Sequence, residues 1–162
     1  NKITNICYFN IGIGDKNTEG YFDEDISNLK NDGSFRFIQR ENNKKIKIYK
    51  LDDVFENEKI SIKENIVIKL DLEGFDFLAL KGLTKTLNKS KVIIFIEISK
   101  MLLENTEDFS NEFELFIKNN KLNIYDLNLK NKNVDEIIKS INAIDINNET
   151  IGDYIISNHK LL

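Results

Sequence analysis

Asn65-Ile66-Val67-Ile68-Lys69-Leu70-Asp71-Leu72-Glu73-Gly74 is apolar almost to its end and then closes on two carboxylates one residue apart. Residues 65–72 (NIVIKLDL) are rich in β-branched side chains and read as a buried strand. Gly74 lets the backbone turn out of it. Beyond the turn, Phe75, Leu78, Ala79, Leu83 and Leu87 recur at helical spacing, so residues 75–87 read as a helix. Residues 92–98 (VIIFIEI) are a second continuous apolar run, the pattern of a strand covered on both faces. Strand, helix and strand in this order form a crossover unit whose two strands run parallel.

The same alternation continues outward. A helix carries Phe109, Phe113, Phe116 and Ile117 on one side, residues 122–127 form a strand, and Val134, Ile137, Ile138 and Ile141 mark another helix. Asn133 is placed to cap that helix, with Glu136 at the spacing of a capping box. Residues 154–157 form a last strand. On the other side, residues 5–11 (NICYFNI) read as a strand that ends in the turn Gly12-Ile13-Gly14-Asp15. Residues 19–23 form a short strand, 25–33 a polar loop, 34–38 and 44–50 a pair of strands, and 51–55 one helical turn. The fold class is therefore α/β, a mostly parallel sheet flanked by helices, with room for an antiparallel strand near its end. Ligands of such sheets bind beyond the carboxyl ends of the strands, which singles out Asp15, Asp71, Glu73 and Glu97.

Composition removes several function classes. The 162 residues suit one domain, and the net charge of −4 with interspersed signs leaves no basic footprint for nucleic acid. The Lys44-Lys45-Ile46-Lys47 cluster alternates with apolar residues and reads as the wet face of a strand. Cys7 is the single cysteine, which excludes an internal disulfide and a cysteine-rich zinc site; it reads as a small buried residue of a strand. His159, the single histidine, lies near the chain end, a poor place for a histidine-based triad. No apolar run has the length of a membrane span and no signal peptide is visible, so the expected location is cytoplasmic, without membrane contact. Proline is absent, while Asn, Lys and Ile are abundant, a bias that reads as genomic.

Each candidate has a plain reading beside a functional one. Asp71 is either a group of the site or an acceptor for loop amides. Glu73 either lines the rim or caps the following helix, where exposed N–H groups favour a carboxylate. Gly12 and Gly14 lack the third glycine of a dinucleotide fingerprint, because position 17 is Asn17. Asp71 and Glu97 around a metal, with Lys100 nearby, would suit a nuclease, but Glu-Ile-Ser-Lys is not the usual acid-x-Lys spacing. Phe75, Phe77, Phe109, Phe113 and Phe116 fall on stripes and read as core. Tyr21, Phe22, Phe35 and Phe37 lie in the irregular first third, where any of them has room to cover a bound ring.

The run Ile68-Lys69-Leu70-Asp71-Leu72-Glu73-Gly74-Phe75-Asp76-Phe77-Leu78-Ala79-Leu80-Lys81-Gly82 resembles the signature of FkbM-type methyltransferases, I-K-I-D-V-E-G-x-E-x-x-V-L-x-G, with Asp76 where that family usually has Glu. Asn10-Ile11-Gly12-Ile13-Gly14-Asp15-Lys16 resembles the family's N-x-A-L-G-D strand end. Tyr49-Lys50-Leu51-Asp52-Asp53-Val54 resembles its T-L-D-D segment, and residues 92–99 resemble its I-I-x-I-E strand. The resemblance implies a Rossmann-like fold that uses S-adenosylmethionine to methylate hydroxyl groups of sugars, glycans or other natural products. It implies Asp15, with Gly14 beside it, near the cofactor's adenine. Asp71 becomes the catalytic group at the strand bordering methyl and acceptor, either as a base or by holding a divalent ion that orients the hydroxyl. Glu73 supports the substrate side.

The family's first strand, glycine-rich cofactor loop and ribose-binding acid would precede residue 5. Residues 1–162 thus read as roughly the last two-thirds of one FkbM-type domain, with about two βα units upstream. Such a chain would complete its sheet with an upstream segment or by self-association. The alternative function is a non-catalytic methyltransferase-like module that binds a protein partner.

Overall fold

A computed structural model describes residues 5–22, 44–72, 74–99, 108–142 and 152–161. The loop expected at 25–33, the strand expected at 34–38, Glu73 and Lys100 lie outside the described residues.

Two sheets carry the architecture. The smaller has the order β1-β3-β2, from β1 (Gly12–Ile13), β2 (Thr18–Phe22) and β3 (Lys44–Tyr49). In it β1 runs parallel to β3, and β2 antiparallel. Helix α1 (Leu51–Asn57) follows directly and extends the single turn expected from sequence. The larger sheet has the order β4-β5-β8-β6-β7, built from β4 (Asn65–Lys69), β5 (Lys91–Ile98), β6 (Asn123–Asp126), β7 (Asn131–Lys132) and β8 (Gly152–Ser157).

The α/β class holds, but the sheets are mixed and not mostly parallel. Only β4–β5 pairs parallel in the larger sheet; β5–β8, β8–β6 and β6–β7 are antiparallel. The cause is a hairpin with no strong sequence signal. Asp126 N–H donates to the Lys130 carbonyl, and Leu129, with φ 60°, donates to the Asp126 carbonyl, so the chain reverses into β7. Helix α5 (Val134–Asn142) then carries the reversed chain to β8, which enters between β5 and β6. Strands β4, β5 and β6 still share one direction, as crossover connections require.

The expected helix at 75–87 divides at Gly82 into α2 (Asp76–Lys81) and α3 (Thr84–Lys89). Ala79, Leu83 and Leu87 of the expected stripe are buried, joined by Phe77 and Leu80, while Phe75 and Leu78 are only partly buried. With α4 (Phe109–Asn119) and α5 they pack on one face of the larger sheet, against Ile68, Leu70, Val92, Ile94, Ile96, Ile98, Ile124, Tyr154 and Ile156. Phe77 meets the rings of Phe109, Phe113 and Phe116 edge-on at 5.3–5.8 Å, as an aromatic core prefers. The other face is less covered: Val67 is 69% and Phe95 39% exposed, so β5 is not a strand buried on both sides. The capping box forms as expected. Asn133 accepts from Glu136 N–H at 2.8 Å, and Glu136 accepts from Asn133 N–H at 3.2 Å.

The strand expected at 5–11 does not form; β1 falls instead on Gly12 and Ile13, which were expected to turn. Ile6 and Tyr8 are 70% and 82% exposed, and Cys7 is exposed, not buried, because no described strand lies beside them.

Close contacts join the small sheet and α1 to α2 and α3. Asp52 is buried and accepts from Lys85 N–H (2.6 Å), Thr86 N–H (3.0 Å) and Thr86 Oγ1 (2.6 Å). These N–H groups belong to the first turn of α3 and have no partner within it. Another contact is an approach of two backbones: a methyl on Gly82 would lie 2.3 Å from the Gly14 carbonyl oxygen. Asp52→Ala is therefore expected to lower unfolding free energy by about 3 kcal/mol, since it strands two buried donors. Gly82→Ala should cost roughly 2–3 kcal/mol by overpacking. Urea unfolding measures both, and a midpoint within error of the parent for either variant would refute the corresponding contact.

Candidate functional site

The rim at the carboxyl ends of β4 and β5 gathers charge. Asp71 lies just past β4, about half exposed, and its carboxylate makes a short ion pair with Lys69 Nζ. Lys69 and Asp71 are two positions apart and share the face of the sheet away from the helices. In register across that face stand Glu97 on β5 and Asp153 on β8. The hydrogen bond and charge of Asp71, followed by the charges of Asp153 and Glu97, hold the Lys69 ammonium above its ordinary range.

The turn behind Asp71 is organised by a residue buried in the helical layer. Asp76, the first residue of α2, is buried; its carboxylate accepts from Leu72 N–H and Gly74 N–H, both at 3.3 Å. Gly74 has φ 91°, a backbone angle that favours glycine. Burial pushes the Asp76 carboxyl up, against the pull of the Leu72, Asp76 and Gly74 N–H groups, and the charge of Asp71 adds to the rise. Sequence reasoning saw Asp76 only as a shorter stand-in for the family's Glu. Its place one turn after a strand-ending glycine was the available signal.

Gly14 and Asp15 sit elsewhere. Gly14 N–H donates to the Tyr49 carbonyl at 3.0 Å, which ends the β1–β3 pairing. The Asp15 carboxylate is partly exposed, 3.9 Å from Lys81 Nζ. Lys81 also pairs with Glu112 at 3.2 Å and lies over the Phe77 ring at 4.9 Å. Lys81 ends α2 while Asp76 begins it, so Asp15 and Asp71 stand at opposite ends of a helix about 9 Å long. Asn17, the missing third glycine, has work of its own. Its Oδ1 accepts from Lys50 N–H at 2.9 Å and its Nδ2 donates to Asp53 at 2.8 Å, the main cause of the lowered Asp53 carboxyl.

An open cavity of about 240 Å³ lies on the same rim, beyond Asp153, lined by Asp126, Lys132, Glu136, Ser140 and Tyr154. The backbone N–H groups of Lys130 and Asn128, with Lys132, keep the Asp126 carboxyl low. Among the described residues no three His, Cys, Asp or Glu side chains gather closely enough to hold a metal ion. No described helix is long and apolar enough to cross a membrane. Ser157 and His159 bond at 3.0 Å, but Ser157 pairs with Ile93, at the far end of the sheet from the rim.

The family model described as the methyltransferase FkbM domain matches residues 3–146. The chain belongs to this family. No curated protein and no solved structure matches the chain. As an FkbM domain it is a methyltransferase domain, and the two N–H groups held by Asp76 fall within the matched residues.

The Asp76 environment carries a pH signature. Its folded value is raised, so in the window from about 3.8 upward the native state holds more protons than the unfolded chain. The Asp76 contribution is thus fully present below that window and is lost as pH rises through the folded value. Relative to Asp76→Asn, which does not titrate, the parent should lose melting temperature between acid and neutral pH. Parallel curves would show that Asp76 titrates normally.

Proposed function

We propose that this FkbM domain has a Rossmann-like arrangement and transfers a methyl group from S-adenosylmethionine to a hydroxyl of a sugar, glycan or other natural product. The observation that carries the reading is Asp71: a partly exposed carboxylate past the end of β4, where ligands of α/β sheets bind, in a chain of a methyltransferase family.

The cofactor asks for an acceptor for its adenine amino group and for backbone that admits a flat ring. Asp15 fits the first, being partly exposed and only loosely held by Lys81. Gly14, without a side chain, fits the second. When bound, S-adenosylmethionine supplies an electrophilic methyl on sulfur. Asp71 would accept the proton of the acceptor hydroxyl, directly or through one water, as the methyl leaves the sulfur, with S-adenosylhomocysteine as the leaving group. Its ion pair with Lys69 keeps the carboxylate oriented at the rim, and alignment supplies much of the remaining acceleration. Glu73 is assigned to the substrate side from its place in the sequence alone.

The exposed apolar side chains of Ile6 and Tyr8 favour a second reading, a methyltransferase-like module that binds a protein partner.

Thermal unfolding with S-adenosylhomocysteine, of this chain and of a version extended upstream, separates the two. At 100 times the dissociation constant the ligand should add about 2.7 kcal/mol to the extended version, and Asp15→Ala should erase the gain. Asp71→Asn should keep the gain while lowering methyl transfer about 100-fold or more. No shift in either version at saturating ligand would leave the partner-binding module as the better reading.

A further inference from the structure

We propose that Asp76 is the positioning residue of the rim, holding the turn from Leu72 to Gly74 so that Asp71 meets Lys69 in one fixed arrangement. The proposal rests on the assignment of Asp71 to the site.

Three observations carry it. First, a carboxylate is rarely buried without a specific partner, and Asp76 is buried at the start of α2. Second, its partners are not the free N–H groups further along its own helix. They are the N–H groups of Leu72 and Gly74, the residues that bracket Glu73 in the sequence. Third, Gly74 stands at φ 91°, and because glycine takes either sign of φ with similar ease, nothing in Gly74 itself fixes the direction of the chain there. The two oxygens of one carboxylate therefore tie the end of β4 to the first turn of the next helix. Asp71 is the residue immediately before the first tie, and its carboxylate pairs with Lys69 Nζ. The α2 layer beneath, with Phe77 and Leu80 fully packed, fixes Asp76 itself. Asp76 touches no site where an acceptor would stand; it acts through the turn.

An amide need not replace it. Asn offers one acceptor oxygen and sets an N–H₂ donor against the second backbone N–H. Glu keeps two acceptor oxygens on a longer stem.

The test is nuclear magnetic resonance on the full chain, with Asp76→Asn, Asp76→Glu and Asp71→Asn beside the parent. In the parent, the Leu72 and Gly74 amide resonances should titrate together with one shared midpoint, and the Asp71 side-chain carbon should register the same event. In Asp76→Asn that shared midpoint should vanish, both amides should exchange roughly ten-fold faster, and the Asp71 side-chain carbon resonance should move at fixed pH. Asp76→Glu should restore protection and the Asp71 resonance. Two results overturn the proposal: parent amides at Leu72 and Gly74 with no common midpoint, or an Asp71 resonance unaltered in a folded Asp76→Asn. The parent titration decides the matter even where Asp76→Asn does not fold. Methyl transfer from labelled S-adenosylmethionine to a panel of monosaccharides, read in parallel, keeps the two ideas apart. Full transfer by Asp71→Asn would refute the assignment of Asp71 as the base while leaving the coupling between Asp76 and the turn as measured.

Discussion

The buried carboxylate of Asp52 is the tie on which the rest of the arrangement depends. One short side chain from α1 satisfies the first-turn donors of α3 and the Thr86 hydroxyl, while its own N–H donates to the Gly82 carbonyl at 3.1 Å. The helix pair α2–α3 is thereby fixed to the small sheet at the point where it breaks. With any side chain at position 82 the Gly14 turn would meet a β-carbon instead of bare backbone. The position of Asp15 beside Lys81 follows from this approach, and so does the distance between Asp15 and the rim. Helices of six residues are marginal alone, and this tertiary tie supplies partners for donors that α3 leaves unpaired within itself.

Two buried aspartates hold α2–α3, Asp76 at its start and Asp52 at its break. Asp52 has three donors at 2.6–3.0 Å. Asp76 has longer bonds and a like charge nearby at Asp71, and burial prevails over its donors. The rim above Asp76 is the reverse case: Lys69 stands among three carboxylates at the surface, where solvent screens each pair and orientation matters more than stability.

Much of the fold was legible because it depends on local pattern. The β4–α2 turn, the β5 run, the capping box at Asn133 and the phenylalanine stripe all formed where period and residue type put them. What escaped was decided by distant parts of the chain. The hairpin around Leu129 uses a left-handed leucine where glycine or asparagine is the usual mark, so the reversal that makes the sheet mixed left no trace in composition. The run at 5–11 has strand-like residues but only two of its neighbours, Gly12 and Ile13, find a ladder. At the site, Asp71 and Asp15 were visible as strand-end carboxylates. Asp76 and Asp52 were not, since an aspartate in the first turn of a helix looks like an ordinary dipole-favoured residue until its partners are known.

The insertion of β8 between β5 and β6 also orders events in time. Asn158 accepts from Val92 N–H across 66 positions and donates to the Leu87 and Ser90 carbonyls, so the last described strand latches onto the start of β5. A chain emerging from the ribosome can form β4, α2, α3 and β5 early, yet the middle of its larger sheet stays open until β8 appears. Closure then requires a long-range search, the slow kind of folding step. During that interval the edge of β5 is available to other chains, which makes this domain one whose yield depends on how crowded its synthesis is.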